Sequence, residues 1–126
     1  MPDATPPQIT LTEHPDYLEA TLQATNSRDV ILQQFQQLLD HCAVRKPSKV
    51  FADLTAITGK YSTLDRYDLG MFGPRLAPHV GRIAVLGKPE FLDPEKFAAQ
   101  VAKNRGLDVD VFTDREAALA WLLSAK

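Results

Sequence analysis

The sequence contains a single cysteine, Cys42, which excludes an internal disulfide bond and favours a reducing, cytoplasmic location. No apolar run approaches the roughly 20 residues that a membrane-spanning helix requires, and the start lacks the basic and apolar segments of a signal peptide. Lysine and arginine number 14 against 16 aspartate and glutamate residues, a net charge of −2. Because nucleic-acid-binding surfaces are basic, this net charge predicts no nucleic-acid partner. The lack of a long apolar run predicts no membrane span.

Patterns that would indicate catalysis or metal binding are also missing. His14, His41 and His79 lie far apart, and no spacing of histidine, cysteine and carboxylate side chains is typical of a metal site. No serine stands in a nucleophile elbow with a histidine as its base, and Gly59–Ser62 lacks the upstream glycine of a phosphate-binding loop. We therefore predict that the protein is not an enzyme and uses no cofactor or metal.

Segments with strand and helix periodicity alternate along the chain. A flexible, proline-rich tail of residues 1–7 precedes a single domain predicted over residues 8–126. The order of segments is β-β-α-β-α-β-α-β-α, in which the first two strands form a hairpin through a turn at Glu13–Asp16. Strands that alternate with helices pair in parallel. The pattern predicts an α/β fold with a mixed, mostly parallel sheet.

Local signals place several element ends. The first helix is expected to begin at Asn26 or Ser27, and the apolar run Val50–Leu54 is typical of a central strand buried on both faces. A loop is predicted over Thr55–Tyr61, and a third helix opens at Asp93–Glu95.

The carboxyl-terminal segment alternates at Asp108–Phe112, which predicts a strand at the sheet edge. Thr113–Glu116 has the pattern of a capping box that opens the last helix. The expected inner stripe of that helix consists of Ala117, Ala120, Trp121 and Ser124.

Asp53 stands near the end of the central strand, where its expected role is to accept backbone amides of the following residues. The alternative is a phosphoacceptor aspartate, as in response-regulator receivers. That chemistry requires an acidic pair to hold magnesium and a lysine beyond a later strand. No lysine directly follows the last strand, which ends at Val111–Thr113, so the structural role is favoured.

Binding sites of such sheets collect at the carboxyl ends of the parallel strands, where the predicted Thr55–Tyr61 loop lies. Ser62 is expected to cap the second helix, with Asp65 completing a capping box. The functional interpretation is an exposed hydroxyl at a partner surface or a phosphorylation site, since a phosphate is stabilised at a helix N-terminus. The two interpretations are compatible.

The second helix has an apolar arc wider than one face requires. Extra core is the usual cause, and a partner, a second subunit or an apolar ligand are the alternatives. The residues of this arc are Tyr61, Tyr67, Leu69, Met71, Phe72 and Leu76.

The strand end Phe51–Thr55 and the loop end Tyr61–Thr63 resemble a STAS domain, the fold of SpoIIAA. Such domains carry Asp-Leu-Ser at a strand end and then Asp-Ser-Ser-Gly, whose first serine takes a regulatory phosphate. In this sequence Ser62 occupies the phosphorylated position, while Tyr61 replaces the aspartate and Leu64 the glycine.

The carboxyl-terminal half is similar to a bacterial branch described as SpoIIAA-like or STAS/SEC14-like, whose members are mostly uncharacterised. The resemblance spans about residues 8–125. It implies helices mainly on one side of the sheet. The segments that carry it are Arg82–Gly87, Asn104–Leu107, Val111–Asp114 and Ala117–Leu122.

The resemblance implies a non-enzymatic, cytoplasmic module that regulates by binding a protein partner or a second copy of itself as a homodimer. A phosphate at Ser62 would repel an acidic partner or recruit a basic one. The residues expected to contact the partner are Tyr61, Ser62, Thr63, Arg66 and Tyr67.

The alternative function is a carrier of a small apolar or lipid-like ligand, which the SEC14-like resemblance and the wide apolar arc both motivate. Its pocket is expected between the second helix, the third helix and the sheet, near Phe72, Leu76 and Phe97.

Overall fold

The computed structural model describes residues 9–89, 103–104 and 106–124. Within these ranges a five-stranded sheet in the order β1-β2-β3-β4-β5 carries three α-helices and one 3₁₀ helix. In chain order the elements are β1 (Thr10–Glu13), β2 (Leu18–Thr25), α1 (Arg28–Arg45), β3 (Lys49–Thr58), α2 (Thr63–Gly70), a 3₁₀ helix (Gly73–Leu76), β4 (Arg82–Leu86), β5 (Asp108–Phe112) and α3 (Arg115–Leu123). The predicted tail and the start of the third helix, predicted from Asp93–Glu95, lie outside the described residues, while Lys103 and Asn104 near its predicted end are helical.

The sheet is mixed, as predicted. β1 pairs with β2 antiparallel, and the remaining neighbours pair in parallel. β5 lies at the edge, where its alternating pattern had predicted it. The predicted α/β fold is therefore confirmed.

Side chains of β3 alternate between two cores on opposite faces of the sheet. Val50 belongs to the larger core, which α1 and α2 cover, and Phe51 belongs to the smaller one, where it meets Ala118 and Leu122 of α3. Both β3 residues are fully buried, as predicted for a central strand. α3 lies on the face of the sheet opposite α1 and α2, so these three helices together cover both faces.

The stripe of Ala117, Ala120, Trp121 and Ser124 expected on the last helix is not the one that faces the core. Ala117 and Ala120 are exposed, whereas Ala118 and Leu122, four residues apart, are buried. Ala118 and Leu122 form the buried stripe because they pack against Phe51, Ala84 and Leu86 of the sheet. The capping residue also differs from the prediction: Asp114, not Thr113, caps α3, and its carboxylate accepts a hydrogen bond from the amide of Ala117.

β3 continues to Thr58, so the loop predicted over Thr55–Tyr61 is wrong for its first four residues. The pairing of β2 with β3 shifts by one residue beyond Asp53, as at a β-bulge. The extra residue breaks the two-residue period of burial, because Leu54 and Ile57, three apart, both face the larger core. A search for strict alternation therefore ends the strand too early.

Two side chains stabilise this bulge. The carboxylate of Asp53 accepts hydrogen bonds from the amide and the hydroxyl of Thr55, at 2.9 and 2.7 Å, which confirms its predicted role. From α1, buried Gln34 accepts from the amide of Gln23 at 2.9 Å and donates to its carbonyl at 2.6 Å. The backbone amide and carbonyl of Gln23, which lie beside the bulge, thus form hydrogen bonds with a side chain.

Candidate functional site

Two short connections lie side by side at the carboxyl ends of β2 and β3. Asn26 has a φ of 53°, its amide donates to the carbonyl of Thr58 at 3.0 Å, and its Oδ1 accepts from the amide of Lys60 at 2.7 Å. Gly59 has a φ of 98°, and a Cβ atom there would lie 2.0 Å from Asn26 Oδ1. These contacts fix the path of the chain as it leaves the sheet.

Tyr61 and an ion pair attach this connection to α1. The Tyr61 hydroxyl donates to the carbonyl of Thr58 at 3.0 Å and accepts from the amide of Ser27, the N-cap of α1, at 3.4 Å. Arg28 donates to Asp68 of α2 at 2.8 Å. Tyr61 is half-buried, and these hydrogen bonds hold the loop before α2 against the start of α1.

Ser62 forms the predicted capping box at the start of α2. Its Oγ accepts from the amide of Asp65 at 3.0 Å, and the Asp65 carboxylate accepts from the amide of Ser62 at 3.2 Å. Ser62 and its neighbour Thr63 are both exposed. Two hydroxyl groups therefore face solvent at the N-terminus of a helix that is held in place by its neighbours.

The outward side of α2 is apolar. Leu64 and Tyr67, one turn apart, are 66% and 44% exposed, while Leu69 and Phe72 on the opposite side are buried. The wide arc seen in the sequence is thus divided between core and solvent. Leu64, which was not counted in that arc, is more exposed than Tyr67.

Arg66 lies between these two sides of α2 and is half-buried. Its Nε atom is buried and makes no hydrogen bond within the described ranges. Of the five residues predicted to contact a partner, Ser62, Thr63 and Tyr67 are exposed. We call the surface formed by residues 60–67 the α2 rim.

The residues predicted to line a ligand pocket have a structural role where the structure describes them. Phe72 and Leu76 are buried members of the larger core, and the Phe72 ring lies 5.4 Å from the ring of Phe35. Phe97 lies outside the described residues. The pocket stays a prediction.

A cavity of about 190 Å³ lies at the opposite end of the sheet, beside the β1–β2 turn and the last turn of α1. Glu13 accepts from Arg45 there at 3.0 Å, and His41 Nε2 lies 3.4 Å from the same carboxylate. His14 and His41 both line the cavity despite their separation in sequence. No group of three histidine, cysteine or acidic residues in the described ranges could hold a metal ion.

A charge cluster that sequence reasoning missed lies on the α3 face of the sheet. Arg115 donates to Glu19 at 3.1 Å, lies 3.5 Å from Asp53, and stacks over the Phe51 ring at 4.8 Å. His14 binds the other oxygen of Glu19 at 2.9 Å. Burial acts to raise the pKa of Glu19, but the hydrogen bonds from Arg115 and His14 outweigh it, so the pKa of this carboxyl lies below its usual value.

Cys42 is buried in the larger core, as its place on the apolar stripe of the first helix predicts. Burial raises the pKa of its thiol to about 11, so the thiolate that a nucleophile requires is scarce at neutral pH. Among the helices that the structure describes, none is long and apolar enough to cross a membrane.

Two solved structures share this fold. The crystal structure of an anti-sigma factor antagonist from Mycobacterium paratuberculosis has a TM-score of 0.65 and 12% identity, and the match covers 94% of this chain and 96% of that one. An uncharacterized protein with a SpoIIAA-like fold from Shewanella loihica has a TM-score of 0.53 and 18% identity, over 97% of this chain and 99% of that one. No curated protein matches the chain.

A family model agrees with the structural likeness. The model described as SpoIIAA-like matches residues 18–123, from the start of β2 to the end of α3. This range contains both cores, the α2 rim and the bulge in β3. The chain belongs to the SpoIIAA-like family.

Proposed function

We propose that this protein is a non-enzymatic regulatory module of the cytoplasm that binds a protein partner through the α2 rim. The exposed pair Leu64 and Tyr67, beside the hydroxyls of Ser62 and Thr63, is the observation that carries the proposal. Membership of the SpoIIAA-like family supports it, as does the fold shared with an anti-sigma factor antagonist from Mycobacterium paratuberculosis.

The rim has the physical properties of a docking surface. Burying an exposed leucine or tyrosine against a partner is worth about 1.5–3 kcal/mol per side chain when burial is complete. Binding also costs entropy when flexible loops become ordered. In the free protein the loop before α2 is already ordered by the hydrogen bonds of Asn26 to Thr58 and Lys60 and by that of Tyr61 to Ser27. Binding therefore loses little entropy from ordering this loop.

Phosphorylation of Ser62 is the regulation we propose for this surface. The hydroxyl is exposed at the N-terminus of α2, where a phosphate dianion is favoured by the helix dipole. The dianion would stand beside the carboxylate of Asp65, which now accepts from the Ser62 amide. The added charge would repel an acidic partner or strengthen binding to a basic one.

Affinity capture with matched variants tests the binding surface. The double variant Leu64→Ser/Tyr67→Ser should lose the partner, while Val44→Ser, at an 80% exposed position on α1, should keep it. Retention of the same proteins by both variants would exclude the α2 rim. A concentration-dependent dimer that only the double variant abolishes would identify the partner as a second copy of the chain.

Two variants of Ser62 separate the effect of added negative charge from the effect of helix capping. Aspartate and asparagine both cap helices well, so Ser62→Asp and Ser62→Asn differ in charge but not in this role. We expect Ser62→Asp to change partner affinity and Ser62→Asn to leave it near that of the unmodified protein. Equal affinities for the two variants would argue against a phosphate switch.

A further inference from the structure

α3 rests on a much smaller apolar core than the other helices. Among the described residues, the core on its face has five buried members against nineteen in the core beneath α1 and α2. α3 itself contributes only Ala118 and Leu122 to that set. Apolar burial is therefore smaller on the α3 side of the sheet than on the α1 side, although partly buried Leu119 and Trp121 of α3 add to it.

The N-terminal end of α3 is held against the sheet mainly by the ion pairs of Arg115. Glu19 on β2 and Asp53 on β3 are near neighbours, since Glu19 pairs with Phe51, two residues before Asp53. Their side chains are 17% and 14% exposed, and both approach Arg115, which is 47% exposed. Without this arginine, two half-buried carboxylates would lie close together on adjacent strands, because the described side-chain contacts of His14 are with Glu19 and Tyr17 rather than with Asp53.

The ion pairs of Arg115 are sensitive to ionic strength because its side chain is half exposed. Ion pairs with an exposed partner weaken as ionic strength rises, and the Debye length falls from about 14 Å at 50 mM to about 4 Å at 500 mM salt. The other end of α3 is held differently: Arg82, only 12% exposed, donates to the carbonyl of Trp121 at 2.8 Å and stacks on its ring. Salt therefore acts first on the Arg115 end.

We infer that α3 is a releasable strap, whose docking onto the sheet is an equilibrium of its own set by the cluster of Arg115, Glu19 and Asp53. Release uncovers an apolar strip of the sheet that includes Phe51 and Leu86. The inference is independent of the α2 rim, which lies on the opposite face. A helix of nine residues is not stable alone in water, so an undocked α3 unfolds and its amides exchange with solvent.

Native-state hydrogen exchange measured by mass spectrometry tests the strap on the full chain. Exchange of α3 amides is compared with that of β3 and β4 amides at about 50 mM and about 500 mM sodium chloride, in the unmodified protein and in Arg115→Ala. Arg45→Ala is the control, because Arg45 also forms an ion pair with a carboxylate, that of Glu13 at 3.0 Å, but the pair lies away from α3.

In the unmodified protein we expect α3 amides to exchange faster than those of β3 and β4, and faster still by roughly tenfold at high salt or in Arg115→Ala. Arg45→Ala should leave the α3 amides unchanged. Exchange of α3 at the same rate as β3 and β4 under both salt conditions would overturn the inference. So would an acceleration in Arg115→Ala that is equal for every element. The salt comparison needs no variant, so it decides the matter even if Arg115→Ala does not fold.

Discussion

Replacing Gln34 by methionine tests the explanation of the bulge in β3. Gln34 is the buried polar residue of α1, and its amide group bonds both backbone groups of Gln23, at 2.9 and 2.6 Å. Methionine has nearly the same length and fills the same space, but it cannot bond either group. The substitution therefore removes two hydrogen bonds without opening a large cavity.

The expected loss follows from those two bonds. A buried backbone group left unsatisfied costs about 1–3 kcal/mol, and Gln23 is only partly shielded from water. We therefore expect Gln34→Met to lower the free energy of unfolding by about 2–4 kcal/mol. Gln33→Met, at an exposed position one residue earlier, should change it by less than about 0.5 kcal/mol.

Urea denaturation followed by circular dichroism measures both values, since small domains usually unfold in one step. A loss of less than about 0.5 kcal/mol in Gln34→Met would show that the bulge does not depend on this side chain. An equal loss in both variants would assign the effect to methionine in the helix rather than to the missing bonds.

Three further predictions concern other parts of the fold. Gly59→Ala should destabilise the protein by more than Gly106→Ala, as urea denaturation would show: both glycines have a φ near 100°, but only at position 59 would the new Cβ meet Asn26. Arg82→Ala should lower the free energy of unfolding by about 1–3 kcal/mol, and Arg82→Lys should recover only part of this, because lysine lacks the planar guanidinium that bonds and stacks on Trp121. Because the pKa of Glu19 is lowered in the folded state, its contribution to stability is present above the ordinary carboxyl pKa and is lost as pH falls through the folded value; denaturation measured from pH 6 downward should therefore show a shallower decline in Glu19→Gln.

Features encoded within a few neighbouring residues could be predicted from the sequence. The capping box of Ser62 and Asp65 depends on residues three apart. The strand at Val50–Leu54 was readable because both faces of a central strand are apolar. The carboxyl-edge position of the α2 rim followed from the alternation of strands and helices.

Features that combine distant segments could not be predicted in this way. Arg115 meets Glu19 across 96 positions of sequence, and no local pattern pairs them. The bulge beyond Asp53 has a similar cause, since Gln34 from another element satisfies the backbone beside it. The buried stripe of α3 was misplaced because the side of the helix that faces the sheet is set by contacts with Phe51, Ala84 and Leu86 on other strands.

Side-chain exposure on α2 lies between these two cases. The sequence showed that the apolar residues of α2 cover more than one face of the helix, but it did not show which of them are buried and which are exposed. The structure buries Leu69 and Phe72 and exposes Leu64 and Tyr67. The division depends on how α2 packs against α1, which the Arg28–Asp68 ion pair helps to fix.

Photo-crosslinking in living cells tests the proposed binding surface most directly. A photoreactive residue is placed at position 64 on α2 or, as a control of similar exposure, at position 44 on α1. We predict a specific protein adduct from position 64 that is absent from position 44. No adduct from position 64, or the same adducts from both positions, would contradict the assignment of the α2 rim as the partner-binding surface.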